Sequence, residues 1–430
     1  MTNVQLFEVF LIHPDLMRLL DRWIGVPLCF SLTGLRRIRR AFAPAQPDTR
    51  PQRIAFVLLT EGGSMVLADP AVRALSGEQG ENAFFVTFAH NKAALAVAGT
   101  VPEERIFAFH VSGPFALLRD ALRWRRWLRD KRIDTLVDFE LFSGLSAALC
   151  ALSGVKRRAG FHAANGGLAL YRGDLYSHRS AYDAGRHISL NYLSIAGALL
   201  GQATPAGTAL PPAPQRTIRE DETDAADALL SQLLPQYGAR RLLLVNPNAS
   251  EFLPQRRWPV SHFISFVSRM LERHADLDIV LIGGPGDVAT TSAISTSVSD
   301  PRCADAAGRL SLAALPALFA RADALLSNDS GPAHFASVVD LPVVVMFGPE
   351  TPSLYRPLGR ATVLSANLPC SPCVNVTNQR KTDCRDNRCM REISVTSVIS
   401  AVESVLGATG NACKVVPMRQ VVRAQHGGRA

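Results

Sequence analysis

Ser327-Asn-Asp-Ser-Gly-Pro-Ala-His-Phe-Ala-Ser-Val-Val-Asp-Leu-Pro-Val-Val-Val-Met-Phe-Gly-Pro349 is the stretch on which the fold is read. A strand ends in Asn328-Asp329, Ser330-Gly331-Pro332 opens a helix with Pro in its first turn, and Val343–Phe347 returns as a buried strand. Free backbone N–H groups at the head of that helix, with the positive end of its dipole, make an anion site able to hold a pyrophosphate without a metal. Asp329 can accept hydrogen bonds from sugar hydroxyls. His334, one turn into the helix, can donate to phosphate. The plainer reading of the same residues is a capped helix with a surface histidine.

Working outward, the alternation continues. Strands at Arg241–Asn246, Asp278–Gly283, Ala324–Asn328 and Val343–Phe347 alternate with helices at about 259–273, 311–320, 331–339 and 394–406. An earlier series has strands at Arg53–Leu59, Ala83–Ala89, Arg105–His110 and Thr135–Glu140, separated by helices such as Pro114–Asp130 and Ser143–Leu152. This predicts an α/β protein of two Rossmann-like, doubly wound parallel sheets facing a central cleft, with ligands at the carboxyl ends of the strands. A length of 430 residues suits two cores. The Pro-rich, aperiodic stretch 202–216 reads as the joint between them. The expected divisions are a basic and apolar arm (1–52), a first Rossmann-like domain (53–205), a linker and entry (206–240), a second Rossmann-like domain (241–406) and a basic, disordered tail (407–430).

Hydrophobic residues make up 47% of the chain and charged ones 19%, which excludes a disordered protein. The net charge is +9, with Arg clustered at 36–40, 119–132 and 416–429, so acidic partners are expected. Nucleic acid is set aside, because no recognition module and no aromatics interleaved on a basic strand can be found. An anionic membrane surface and a phosphorylated glycolipid fit. The apolar run Trp23–Leu35 is about half the length needed to span a bilayer. Arg18 and Arg22 precede it and Arg36, Arg37, Arg39 and Arg40 follow it, as in a segment lying in an anionic interface. The start lacks a basic region followed by an apolar run, and the eight cysteines read as mostly free thiols of a reducing cytoplasm. Peripheral attachment to the cytoplasmic face of the inner membrane through about residues 16–40 is therefore predicted, the alternative being an arm packed on the first domain.

A second loop, Asn246-Pro-Asn-Ala-Ser-Glu-Phe-Leu-Pro-Gln-Arg-Arg-Trp-Pro259, follows the first strand of the second half and would lie beside the same anion site. Arg256 or Arg257 could neutralise a diphosphate as it departs, an electrostatic rather than covalent task. The alternative is a solvated loop with Trp258 packed beneath a helix.

Together these segments resemble glycosyltransferase family 9, the lipopolysaccharide heptosyltransferases, which have the two-domain GT-B fold. The likeness covers most of 53–406 and is strongest at Asn246–Pro259, Gly283-Gly-Pro-Gly-Asp287 and Ala307–Pro349, where Ala307-Gly-Arg-Leu-Ser-Leu312 precedes Asn328–His334 and Phe347-Gly-Pro349. The resemblance implies a nucleotide-sugar donor, ADP-heptose, bound in the second half. Asn248, Ala249 and Ser250 would lie near the phosphates, with Arg256 as their basic partner and Gly308 near the base. Asp329, Ser330, Gly331 and His334 would surround the diphosphate-sugar. It also implies an inverting, metal-independent transfer to a lipopolysaccharide-type, anionic glycolipid, with a general base taking the acceptor proton. The chain departs from the family in its first βα loop. Where relatives carry Gly-Asp with a basic residue at the strand end, it has Gly63-Ser64 and Leu58. Ser64 cannot serve alone as base, so Glu61 in the same loop is the expected one, with Asp138 and Glu140 at the fourth strand end as alternatives.

Cys370, Cys373, Cys384 and Cys389 have spacing that permits a structural zinc site, with free or packed thiols as the alternative. A sugar-nucleotide 2-epimerase of the same architecture, or a sugar-nucleotide-binding protein that has lost its base, are the competing functions. A nicotinamide enzyme is disfavoured because Gly283–Asp287 lacks the full Gly-rich fingerprint.

Overall fold

The apolar runs read as strands are buried on both faces, as parallel strands between helical layers must be. In the computed structural model, described residues are 19–42, 51–59, 62–77, 80–110, 113–141, 143–164, 171–202, 207–375, 378 and 381–407. The chain divides into two units, Met1–Pro211 and Pro212–Ala430.

In the first unit a π-helical turn, Asp21–Gly25, leads into α1 (Val26–Phe42). There follow β1 (Ile54–Val57), α2 (Ser64–Ser76), β2 (Ala83–Phe88), α3 (Lys92–Ala98), β3 (Ile106–Phe109), α4 (Pro114–Asp130), β4 (Thr135–Asp138), α5 (Gly144–Leu152), β5 (Arg157–Ala164), β6 (His178–Tyr182) and α6 (Ile188–Leu200). The strands pair in parallel in the order β3-β2-β1-β4-β5-β6. The order reverses between β1 and β4, the switch point where such sheets open a ligand crevice at their carboxyl ends.

The N-terminal arm is part of this unit. Asp21 accepts hydrogen bonds from the Leu145 N–H (2.8 Å) and the Ser143 hydroxyl (3.1 Å) and so caps α5. Gly25 meets α5 backbone to backbone: a Cβ there would stand 2.8 Å from the Leu145 nitrogen. The buried Cys29 thiol donates to the Gly144 carbonyl at 3.2 Å, and burial pushes its pKa up to about 11. The opposite side of the arm still presents Trp23, Ile24, Phe30, Leu35 and Ile38 to solvent, Trp23 being 69% exposed. No described helix is long and apolar enough to cross a membrane.

The second unit holds α7 (Glu220–Leu233), β7 (Arg241–Asn246), α8 (Val260–Arg273), β8 (Leu277–Leu281), α9 (Val288–Val298), β9 (Cys303–Asp305), α10 (Leu315–Phe319), β10 (Ala324–Asn328), α11 (Gly331–Phe335), β11 (Val343–Phe347), α12 (Pro352–Tyr355), β12 (Ala361–Ser365), α13 (Arg388–Arg391) and α14 (Val395–Gly407). Its parallel order is β12-β11-β10-β7-β8-β9, with the reversal between β7 and β10. α8 shows why the layers close: Phe263, Phe266, Val267, Met270 and Leu271 fall at i, i+3, i+4, i+7 and i+8 and are all buried. α7 lies within 206–240 and packs against α10. The expected helix over 331–339 is shorter: α11 ends at Phe335 and a 3-10 turn, Ala336–Val339, completes it. The tail from 408 lies outside the described residues.

Candidate functional site

At the second unit's switch point, β7 and β10 end on asparagines to which the sequence reading assigned no role. Asn246 donates to the Ser330 hydroxyl (2.8 Å) and the Ser327 hydroxyl (3.0 Å). Asn328 donates to the Pro247 carbonyl (2.9 Å) and accepts from the Trp258 N–H (3.0 Å). Both are buried: Asn328 satisfies backbone groups of a loop that would otherwise be left unpaired away from water, and Asn246 satisfies two serine hydroxyls. The two strand ends thus tie the 247–258 loop to the 328–331 turn. Their signal was available as two Asn residues, each the last of a buried strand with a loop after it.

Within this frame Arg256 reaches Asp329 (Nε to Oδ2, 3.3 Å) and Glu350 (Nη2 to Oε1, 3.1 Å). Arg257 turns the other way, donating to the Ala249 carbonyl at 2.8 Å and pairing with Glu251. The structure therefore separates the two arginines: Arg256 faces the turn at Ser330, and Arg257 braces its own loop. Asn248 donates to the Ile282 carbonyl at 3.1 Å. A Cβ on Gly283 would lie 2.7 Å from the Asn248 amide nitrogen, so glycine is what allows this approach. The Gly308 N–H donates to the Gly283 carbonyl at 3.0 Å, and its φ of +72° suits glycine. Asn248, Arg256, Gly308, Asp329, Ser330 and Gly331 thus lie on connected loops, whereas Ser250 is exposed and accepts the Phe252 N–H. Trp258 is packed beneath α8 against Phe263, its indole donating to the Ile393 carbonyl.

Two details change the expected picture. His334 is buried rather than a surface residue. With five residues in α11, the dipole contributes little, and charge at this turn comes chiefly from side chains. Glu350, three residues beyond β11 and 2% exposed, was missed because nothing in Phe347-Gly-Pro-Glu350 marks an acid as an arginine partner.

In the first unit, Glu61 lies outside the described residues, while the frame around its loop is defined. The Leu59 N–H donates to Glu140, and its carbonyl accepts from the Asn91 amide at 2.6 Å. Ser64 is the first residue of α2 and is buried. Asp138 is sealed: its Oδ2 accepts from the Tyr176 hydroxyl (2.6 Å) and the Ser146 hydroxyl (2.8 Å), with Arg172 at 3.6 Å, and its Oδ1 accepts from the Glu140 N–H (3.0 Å). Burial holds the Tyr176 hydroxyl well above its usual pKa, against the pull of Arg172, so it stays a donor. Both oxygens of Asp138 are thus engaged by donors of the same unit.

The four clustered cysteines have free thiols. Burial, then the neighbouring Cys373 and Cys384, push the Cys389 thiol up to about 11. Cys373 contacts the Thr382 hydroxyl (3.5 Å) and Cys384 the Asp386 carboxylate (3.4 Å). Among the described residues no three His, Cys, Asp or Glu side chains are arranged to hold a metal ion, so the zinc expectation does not fit the thiols as they stand.

Two parallel sheets, each reversing at a switch point, with an arginine–carboxylate turn in the second, define the class as a two-unit α/β protein of the GT-B kind. The model of glycosyltransferase family 9 (heptosyltransferase) matches residues 121–382, more than half of the chain, and the chain belongs to this family. It is 30% identical over 150 residues to lipopolysaccharide heptosyltransferase 2 of Salmonella typhimurium, covering 34% of this chain and 40% of that protein. Lipooligosaccharide heptosyltransferase 2 of Haemophilus ducreyi is 31% identical over 156 residues, which is 35% of this chain and 44% of that protein. The chain thus spans less than half the length of these curated relatives. The structure of E. coli ADP-heptose lps heptosyltransferase II shares the fold, with a TM-score of 0.64 and 20% identity over 82% of this chain and 98% of that one.

Proposed function

We propose that the chain is an inverting glycosyltransferase that moves a sugar, heptose, from a nucleoside diphosphate to a hydroxyl of an anionic, lipopolysaccharide-type glycolipid. The observation that carries the reading is the pairing of half-buried Arg256 with buried Asp329 in the loops beyond the carboxyl ends of β7 and β10. An arginine there can meet the diphosphate, and a carboxylate beside it can accept from sugar hydroxyls. The names of the relatives support ADP-heptose as donor. In the transfer, the acceptor oxygen attacks the anomeric carbon and its proton passes to a base, Glu61. The bond to the diphosphate breaks, and the nucleoside diphosphate leaves with the electron pair. Arg256 stabilises the charge that grows on the leaving group, and such a donor aimed at developing charge is worth roughly 10²–10³ in rate. Asp329→Ala and His334→Ala are each expected to weaken ADP-heptose binding or turnover at least tenfold, measured by calorimetry and by product formation. Wild-type affinity and rate in both variants would put the donor elsewhere.

We also propose that the chain acts at the cytoplasmic face of the inner membrane through its N-terminal arm. One side of α1 is committed to α5, yet Trp23, Ile24, Phe30 and Ile38 face outward beside Arg22 and Arg37, the composition of an interfacial helix. Deleting the arm would uncover α5, so substitution is the cleaner test. Exchanging Trp23, Phe30 and Ile38 for Ser in the full chain should abolish co-flotation with phosphatidylglycerol vesicles while leaving the thermal midpoint within a few degrees of wild type. Undiminished flotation of the folded triple variant would refute attachment by this face.

A further inference from the structure

Arg256 serves two buried carboxylates at once. Its side chain is 18% exposed, that of Asp329 4% and that of Glu350 1%. Taken as ionised, the three carry one net negative charge in a place where water screens little. A diphosphate brings more negative charge to the same guanidinium. Electrostatics at low exposure therefore set Glu350 and a diphosphate in competition for the same N–H donors.

Glu350 is mounted to hold its position. It follows β11 through Gly348 and Pro349, and the Pro349 carbonyl accepts from the N–H groups of Cys373 and Val374, both at 3.0 Å. Ser371 donates its hydroxyl to the Gly348 carbonyl. A Cβ on Gly348 would stand 2.5 Å from the Met390 sulfur, so the glycine lies close against the side chains of α13. Arg256 sits on the short 3-10 turn Pro254–Arg256 with a long, rotatable side chain. When an anion arrives, the arginine is the partner that moves.

We infer that Glu350 is a resident counter-anion that occupies the Arg256 guanidinium in the donor-free state, yields it to the diphosphate on binding, and reclaims it to help expel the nucleoside diphosphate product. This rests on the donor-site reading above and adds a determinant of affinity and release to it. Glu350 is a positioning residue for Arg256, and no bond is made or broken at it.

The test is titration of the full chain with ADP, and with GDP, UDP and CDP for comparison, by calorimetry and stopped flow. Glu350→Gln keeps the shape and removes the charge. It should bind its preferred diphosphate about tenfold more tightly and release it correspondingly more slowly, with KM for the donor and kcat falling together where release limits turnover. A residue of merely structural importance would weaken binding instead. Unchanged or weaker binding by folded Glu350→Gln overturns the inference. Should that variant fail to melt cooperatively, Glu350→Asp withdraws the carboxylate by one methylene and should tighten binding by a smaller factor, and an unmoved or weakened affinity there overturns it equally. A wild-type chain that binds none of the four nucleotides overturns the donor-site reading itself, whereas wild-type binding with an unmoved variant overturns this inference alone.

Discussion

Glu61→Gln is expected to leave donor affinity within about twofold of wild type while lowering the rate of sugar transfer on the order of a hundredfold or more, the contribution of a positioned general base. Inverting displacement requires a proton acceptor on the face opposite the leaving diphosphate, ionised near neutral pH. A glutamate meets that with an ordinary pKa, whereas a serine would need a base of its own. The structure narrows the field. Ser64 opens α2 and is buried. Asp138 already accepts from Tyr176, Ser146 and the Glu140 N–H. Glu140 accepts the Leu59 N–H, and Asn91 donates to the Leu59 carbonyl, so the chain enters the Thr60–Gly63 loop from a residue clamped on both sides. Such a clamp is what a loop needs if a side chain on it is to meet a substrate reproducibly. Single-turnover transfer from ADP-heptose, measured beside donor affinity, decides the matter. A wild-type rate in Glu61→Gln together with lost transfer in Glu140→Gln would move the base to the end of β4.

The sequence displayed the second unit more openly than the first, for a physical reason. Arg241–Asn246, Ala324–Asn328 and Val343–Phe347 are central strands with apolar cores, and their expected bounds match the observed β7, β10 and β11. Two neighbouring strands at one side of the first sheet, β5 and β6, went unread. β6, His-Arg-Ser-Ala-Tyr, is half polar because only alternate residues are buried, and β5 carries Arg, Gly and His. In the site, Asp329 and Arg256 were readable because charge beside a strand end stands out. Asn246 and Asn328 showed only as polar residues closing buried strands, and Glu350 showed not at all, since their work depends on which loops the sheet brings together, and a pattern along one chain holds no such information. The arm was half legible: its outward apolar face and arginines showed in the sequence. Its seat on α5 depends on Gly25 and Gly144, which only contact reveals.

Arg172→Ala should destabilise the first unit by about 3–5 kcal/mol, the usual cost of removing one partner from a buried ionic cluster. Its side chain is 1% exposed and donates to the Ser143 carbonyl (3.0 Å), the Phe161 carbonyl (3.1 Å) and the Ser146 hydroxyl (2.9 Å), with the Asp138 carboxylate at 3.6 Å. Burial opposes its charge, but Tyr176, Asp138 and Glu140 outweigh that and hold its pKa above the ordinary value. Truncation therefore takes the arginine donor from the buried Phe161 carbonyl, at roughly 1–3 kcal/mol, and leaves Asp138 with only neutral donors, while the Ser143 carbonyl keeps the Ser146 hydroxyl (3.1 Å). Lost packing adds to this, since the guanidinium lies 5.5 Å from the Tyr176 ring centroid. The relative size of the two effects can be separated. If charge dominates, adding Asp138→Asn to Arg172→Ala should restore stability by more than 1 kcal/mol, because the uncompensated anion is gone. If packing dominates, the double variant should be no better than the single one. Urea unfolding read by fluorescence and extrapolated linearly gives each value, the two units being resolved as separate transitions where they unfold apart. An Arg172→Ala chain within 1 kcal/mol of wild type would show that Tyr176 and Ser146 suffice to hold Asp138, and that the ends of β4 and α5 do not depend on the arginine.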